Sequence, residues 1–315
     1  MPRHPYQDRI QARQSFLQVH QRLTNQYQIK PPIALSRLVS FALELVYDNE
    51  HICPDDDLAN CFVPAFYLIG FMEGEPMFEP SAPCEFFAFA SPQVDGIDYG
   101  FVVHAPELAQ EDFLVCELDP KDDLRGLRLL GNTFVEGLEA LLSRALASAN
   151  QQPEVWAEIT RGYGLTPSIV LNRIKALSLQ LGLYPDKEKA KSVIFDSNGP
   201  APVPVVPKGW RFAPSSDGVG VLAPTLFFGE YQVEIEDVDT EYGCDLEPVL
   251  DLAVKALAQS CPASALLVLR DAMFHNMYLD EQVERLVLPM RQAYLALNRP
   301  LFAAMIERWS LALKA

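Results

Sequence analysis

The sequence predicts an α+β protein: a mostly antiparallel sheet flanked by helices near the N-terminus, a second and smaller α+β region, and a helical C-terminal segment. Three observations carry this. Apolar residues recur at spacings of three and four from Ile10 to Val46. From about Phe62 the texture changes to short aromatic and β-branched runs bounded by Pro, Gly and Asp, and from Leu246 onward the helical spacing returns and persists. At 315 residues, nearly half hydrophobic, the chain is long enough for two or three domains with cores of their own. The expected division is an α+β domain over 1–150, a helical connector over 151–198, a proline-rich linker with a β-rich segment over 199–245, and helical hairpins over 246–315.

The first helix places Ile10, Phe16, Leu17 and Leu23 near one face. After Pro31-Pro32 a second run carries Ile33, Leu35, Leu38, Val39, Phe41, Ala42, Leu45 and Val46. Two prolines between them predict two helices meeting at a turn. Next come "FVPAFYLIGF", "CEFFAFA", "YGFVVH" and "FLVCEL", spaced as strands of one sheet. A helix follows at "LLGNTFVEGLEALLSRALASA", with Asn132 or Thr133 as N-cap and Glu136 as capping partner. Beyond Pro153 two helices flank the Gly162-Tyr163-Gly164 break, the second capped by Thr166 with Pro167 at its first position.

"SNGPAPVPVVPKG" is a proline-rich connector, because fixed φ and missing N–H groups favour extended chain. The strand-like runs "GVGVLAP", "TLFFGEY" and "QVEIEDVD" follow it, the last suiting an edge strand through Val233, Ile235 and Val238. Four amphipathic runs complete the chain, with Pro262 and Pro300 near two helix starts. The final pair resembles a tetratricopeptide-type helix hairpin.

Charge is regional. Residues 51–125 hold sixteen acids against Lys121 and Arg125, and residues 201–250 hold nine against Lys208 and Arg211, within a net charge of −17. Such a field attracts cationic partners and repels phosphate backbones. The six cysteines form no Cys-x-x-Cys pair, so buried free thiols are expected rather than a disulfide framework. "HICPDDDLANC" contains metal-ligand residue types at spacings that match no zinc pattern, so no metal and no cofactor is expected. With no signal-peptide core and no 18-residue apolar run, the expectation is a cytoplasmic protein without a membrane partner.

Asp95-Gly96 lies between "CEFFAFASP" and "IDYGFVVH" and reads as a turn joining two strands: Gly96 takes positive φ at little cost and the Asp95 carboxylate accepts backbone N–H groups. Phe86, Phe87 and Phe89 would then face Tyr99, Phe101 and Val103 across the strands, and Gly100 would admit a close neighbour. The shorter "FAPSSDGVGVLAP" echoes this stretch and reads as shared turn chemistry, with a related second sheet as the alternative.

The order "APCEFFAFASPQVDGIDYGFVVHAPEL", "FLVCELDPKDD", "LRLLGNTFVEGLEALL" resembles the SUKH superfamily, which includes yeast cell-wall synthesis regulators and bacterial immunity proteins. The resemblance covers roughly residues 60–145, through Pro83 to Phe89, Asp95-Gly96, Tyr99-Gly100-Phe101, Leu114 to Asp119-Pro120, and Gly131-Asn132 onward. It implies binding rather than catalysis: a protein-recognition module, of the immunity type, that covers a basic nuclease-like toxin with an acidic sheet face. Partner contacts are expected at Asp95, Asp98, Glu107, Glu111, Asp112, Asp119, Asp122 and Asp123, with Asp95, Gly96, Tyr99 and Gly100 as structural turn residues.

A regulatory or scaffold role is the alternative within the same class. An enzyme is disfavoured because no phosphate-binding glycine loop, nucleophile elbow, His-Glu-x-x-His or dinucleotide fingerprint occurs. His104, beside Glu107, reads as a satisfied polar histidine rather than a general base. Residues 153–182 have a helix-turn-helix cadence with Arg161, Arg173 and Lys175 available to phosphates, yet Ile169, Leu171, Ile174, Leu177 and Leu179 could all be core. The net charge also opposes DNA.

Overall fold

The computed structural model describes residues 5–38, 40, 83–90, 98–118, 127–151, 153–154, 157, 166–184, 203–229, 245–276 and 280–312. The fold is α+β. Helix α1 (Pro5–Tyr27) is followed by helical residues 33–38, then strands β1 (Phe86–Ala90), β2 (Asp98–Val102), β3 (Leu114–Leu118) and β4 (Leu127–Gly131). Helices α2 (Phe134–Gln151) and α3 (Pro167–Leu181) come next, then the ribbon β5 (Trp210–Ala213) and β6 (Val221–Pro224). Helices α4 (Leu246–Ala258), α5 (Pro262–Asn276), α6 (Asp280–Ala296) and α7 (Pro300–Ala312) complete the order.

The four strands form one antiparallel sheet in sequence order. Phe87 lies opposite Phe101 and stacks on it, centroids 5.4 Å apart; Phe113 and Phe134 pack on Phe101 in turn, and Phe89 meets Phe134 at 5.1 Å. This aromatic face is covered by α2, and by Phe302 of α7 against Phe87. Phe86, opposite Val102, points the other way, into a second cluster with Cys116, Leu118, Leu127 and Val219. Alternation along the strands therefore feeds two apolar layers, and the described acids of this region lie at strand ends and connections, apart from Glu117, which is buried within β3.

Gly100 is close-packed, as its place in a strand suggested, and the neighbour is the adjoining strand: a Cβ there would stand 2.5 Å from the Phe86 ring and 2.6 Å from the Phe87 carbonyl. Gly220 repeats this under the Phe212 ring at 2.5 Å and the Ala213 carbonyl at 2.6 Å. In both hairpins the ring belongs to the residue paired two positions beyond the glycine, Phe86 with Val102 and Phe212 with Leu222. The echo between the two stretches is thus a shared packing pattern.

The N-terminus of α2 is capped as its sequence suggests, with one shift. The Thr133 hydroxyl accepts the Glu136 N–H at 3.1 Å, while the Glu136 carboxylate reaches back to the Asn132 N–H at 2.9 Å instead of that of Thr133. Thr166 stands at the N-cap of α3, but its hydroxyl pairs with Ser168 at 2.9 Å and makes no cap bond.

The helical C-terminus consists of two hairpins that match bond for bond when Ser260 is set on Asn298. Both residues are left-handed, at φ 59° and 60°. The Cys261 N–H donates to Ala256 and the Arg299 N–H to Tyr294, each at 2.8 Å, and Pro262 and Pro300 open the following helices. One apolar cluster includes Leu23, Phe87, Leu138, Val221, Leu266 and Phe302, so buried contacts run from α1 through the sheet to α7.

Several expected core positions are not core. In α1, Leu23 is buried while Ile10 and Leu17 are exposed: among the described side chains the buried position lies toward the C-terminal end of this helix. Ile33 and Leu179 are exposed although Leu35, Leu38 and Ser178 are buried, since each short helix presents a single stripe to its neighbours.

Candidate functional site

The connection after β2 gathers most of the described candidates. Val103, His104 and Ala105 are buried, and a 3-10 turn over Pro106–Leu108 ends at Ala109 in the left-handed region, φ 47°. This turn aims Glu107 at Arg299, the buried residue of the α6–α7 connection. Arg299 Nη2 donates to Glu107 Oε1 at 2.8 Å and Nε to both oxygens at 3.2 Å; Nη2 also donates to the Leu222 carbonyl at 2.5 Å.

Asp112 is exposed, yet its carboxylate is likewise engaged by the chain itself. Its Oδ1 accepts the Phe113 N–H at 2.9 Å and the Phe134 N–H at 2.7 Å, which satisfies a donor at the start of α2 from outside that helix. Glu111 is exposed and pairs with the exposed Lys30 at 3.3 Å. Asp98 opens β2 and lies opposite Leu118, half-buried; Tyr99 is buried opposite Ala90 and Glu117. Asp95, Gly96, Asp119, Asp122 and Asp123 lie outside the described residues, as does the "HICPDDDLANC" cluster.

A second constellation had no place among the candidates. Arg270 of α5 is 2% exposed and forms an ion pair through Nη1 with Glu85, itself buried just before β1. Arg270 Nη2 reaches Asp217 of the β5–β6 connection at 2.5 Å, and Nη1 donates to the Tyr294 hydroxyl at 3.2 Å. That hydroxyl donates to Glu85 Oε1 at 2.8 Å and accepts from the Cys84 thiol at 2.9 Å. Asp217 Oδ1 accepts the Ser215 hydroxyl at 2.5 Å and the Val219 N–H at 3.0 Å, and Ser216 N–H donates to Asp271 at 2.6 Å. Sheet, ribbon, α5 and α6 thus meet at one guanidinium. The available signal was a charge at the end or middle of an apolar run, Arg270 after "ASALLVL" and Glu85 in "PCEFF"; a buried charge demands a partner, but nothing local names it.

The ionisable groups of this junction are chemically muted. Burial, with Glu85 beside it, pushes the Cys84 thiol well above its ordinary range, and burial raises Cys116 as well. His104 donates from Nε2 to the Val219 carbonyl at 3.0 Å and meets Phe212 edge-on; burial holds its pKa down to about 3. Near neutrality the imidazole is therefore uncharged and only a weak base, with its Nε2–H spent on a carbonyl.

Among the described residues no three metal-ligating side chains converge, and no helix is long and apolar enough to cross a membrane. A small cavity of about 70 Å³ is lined by Tyr27, Gln28, Pro106, Glu107, Asn298 and Arg299, and its charged members are already paired with each other. In α3, Lys175 is exposed and Leu171 packs on the core; the side chains of Ile169, Arg173, Ile174 and Leu177, and the whole of Arg161, lie outside the described residues. No known protein family and no curated protein matches this chain.

Proposed function

We propose that the chain is a non-catalytic protein-recognition module that docks a basic macromolecular partner through the acids of residues 51–125. The observation that carries this reading is the concentration there of sixteen acids against two bases. A potential of that sign speeds encounter with a cationic surface and rejects like-charged competitors. A nuclease-like toxin, basic where it grips phosphate, is a partner of that chemistry, and the resemblance to the SUKH superfamily points the same way.

Glu107 and Asp112 have partners within the chain, Arg299 and two backbone N–H groups, so in this reading their role is internal. The reading places the docking set at Asp95, Asp98, Glu111, Asp119, Asp122 and Asp123; of these Asp98 is half-buried with partners of its own and Glu111 is exposed and paired with Lys30. The muted Cys84 and His104 support a role without bond-making chemistry.

Affinity capture from the native cell supplies the partner, and calorimetry with the purified pair tests the reading. Lysine at Asp95, Asp98, Asp122 and Asp123 is expected to weaken binding by at least about tenfold, roughly 1.4 kcal/mol, and to flatten its salt dependence. A captured partner whose affinity ignores these changes, or a variant that simply unfolds, would sink the assignment.

A further inference from the structure

The proline-rich stretch 203–207 leads into β5 with one side chain anchored and three valines displayed. Pro204 is buried, whereas Val203, Val205 and Val206 are exposed, Val205 by 85%. The Trp210 N–H donates to the Pro207 carbonyl at 3.0 Å across a turn that needs Gly209 at φ 82°. Leu226, 73% exposed, joins this surface because both the N–H and the hydroxyl of its neighbour Thr225 bond to the Gly209 carbonyl. Large aliphatic side chains held this far into water, on backbone that prolines have already ordered, are costly unless something covers them.

Among the described residues the adjoining edge has no neighbouring strand, and its register is definite. Gly209 and Thr225 face each other as a hydrogen-bonded pair, so along the ribbon Arg211 and Ala223 are the next such pair, while Phe212 and Leu222 turn their backbone groups outward. The Leu222 carbonyl is taken by Arg299. The Phe212 N–H and carbonyl face the opposite way, along the free side of β5, where no described strand lies.

Charge identifies the occupant. Residues 201–250 contain only two cations among nine acids, and both, Lys208 and Arg211, are exposed beside this edge. Neither makes an ion pair among the described residues. The Arg211 guanidinium lies 5.0 Å from the Phe228 ring centroid, a stacking that leaves the edge of its fork free for a carboxylate.

We propose that the β5 edge, with Val203, Val205, Val206 and Leu226, is a docking surface for an extended segment of a partner protein that alternates acidic and aliphatic side chains. Such a segment adds to β5 as a strand. Its backbone bonds Phe212, its aliphatic side chains cover the valines, and its carboxylates meet Lys208 and Arg211. This surface is opposite in sign to the acidic docking set and independent of it.

The test places the photo-reactive residue p-benzoylphenylalanine at Val205 in the full chain, irradiates it in its native cell and sequences the adduct. The expected product joins Val205 to one acidic, aliphatic-alternating stretch of another protein. That stretch, made as a labelled peptide, should bind the purified chain about tenfold more weakly after Lys208→Glu, and more weakly still after Arg211→Glu, with melting temperature unchanged. Charge reversal at Asp95, Asp98, Asp122 and Asp123 should leave this binding intact, so the two surfaces fail separately. Absence of an adduct, crosslinks within this chain, to nucleic acid or to a basic or uncharged stretch, or an affinity indifferent to Lys208→Glu would overturn the proposal.

Discussion

Glu107 and Arg299, 192 positions apart, hold each other through three hydrogen bonds of 2.8 to 3.2 Å, and the same guanidinium closes the outward carbonyl of Leu222. One side chain from the α6–α7 turn thereby joins the 3-10 turn after β2 to the edge of the β5–β6 ribbon. Arg299 is 1% exposed, so the pair stands or falls together.

Removing one member should therefore cost far more than removing both. Glu107→Ala leaves a buried guanidinium with only the Leu222 carbonyl and is expected to lose about 3–5 kcal/mol of unfolding free energy. The double variant with Arg299→Met should recover part of that loss. Urea unfolding of the four members of the cycle measures the coupling; additive single losses would show that the pair is not a unit.

Arg270 faces a stricter geometry, because Glu85, Asp217 and the Tyr294 hydroxyl all converge on it. Lysine carries the charge but not the fork that reaches several acceptors at once. Both Arg270→Lys and Arg270→Met are expected to destabilise by several kcal/mol, about 3–5 for the latter, read as a lower urea midpoint. A lysine variant as stable as the parent would refute the need for a planar donor.

His104 sets an acid limb. Its folded pKa is lowered to about 3 from an ordinary 6.5, so the unfolded chain binds the proton first as pH falls. Its contribution is full above pH 6.5 and is lost progressively between there and about pH 3, with a slope approaching 1.4 kcal/mol per pH unit for one proton. His104→Gln should flatten the pH dependence of stability between pH 6.5 and 5 relative to the parent. An unchanged slope would mean that His104 is not the residue that titrates.

Gly137 of α2 packs directly against Val115 of β3: a Cβ there would come within 2.5 Å of Val115 Cγ1. Alanine at this position improves helix propensity by about 1 kcal/mol but overpacks the contact, for a net loss expected at about 1–2 kcal/mol. Val115→Ala in the same chain should relieve it. Thermal melts of the single and double variants decide whether the contact or the propensity governs.

Asp112 holds the same helix by its first N–H, that of Phe134, beside the Thr133 and Glu136 cap. Asp112→Ala is expected to cost about 1–2 kcal/mol, and Asp112→Asn less, because the amide oxygen can still accept. Hydrogen exchange at Phe134 should accelerate in the alanine variant; unaltered exchange there would exclude the capping role.

The amino-acid sequence by itself determined what neighbouring residues can settle. Helix or strand follows from spacing, which separated α4 to α7 from the β-rich runs; helix starts at Asn132 or Thr133, at Pro262 and at Pro300 follow from who can accept or forgo an N–H; facing aromatic strands follow from composition on either side of a turn, while the register that sets Phe87 on Phe101 and turns Phe86 to the other face does not. Tertiary structure alone decided the fate of the charges. Glu107 and Glu111 lie in one acidic connection, yet the first meets a buried arginine from the α6–α7 turn and the second an exposed lysine. Arg270 and Glu85 stand in apolar runs whose composition declares burial and is silent on the partner. A carboxylate's role depends on which counter-charge long-range packing delivers and how much water it excludes, and neither quantity is a property of the flanking residues.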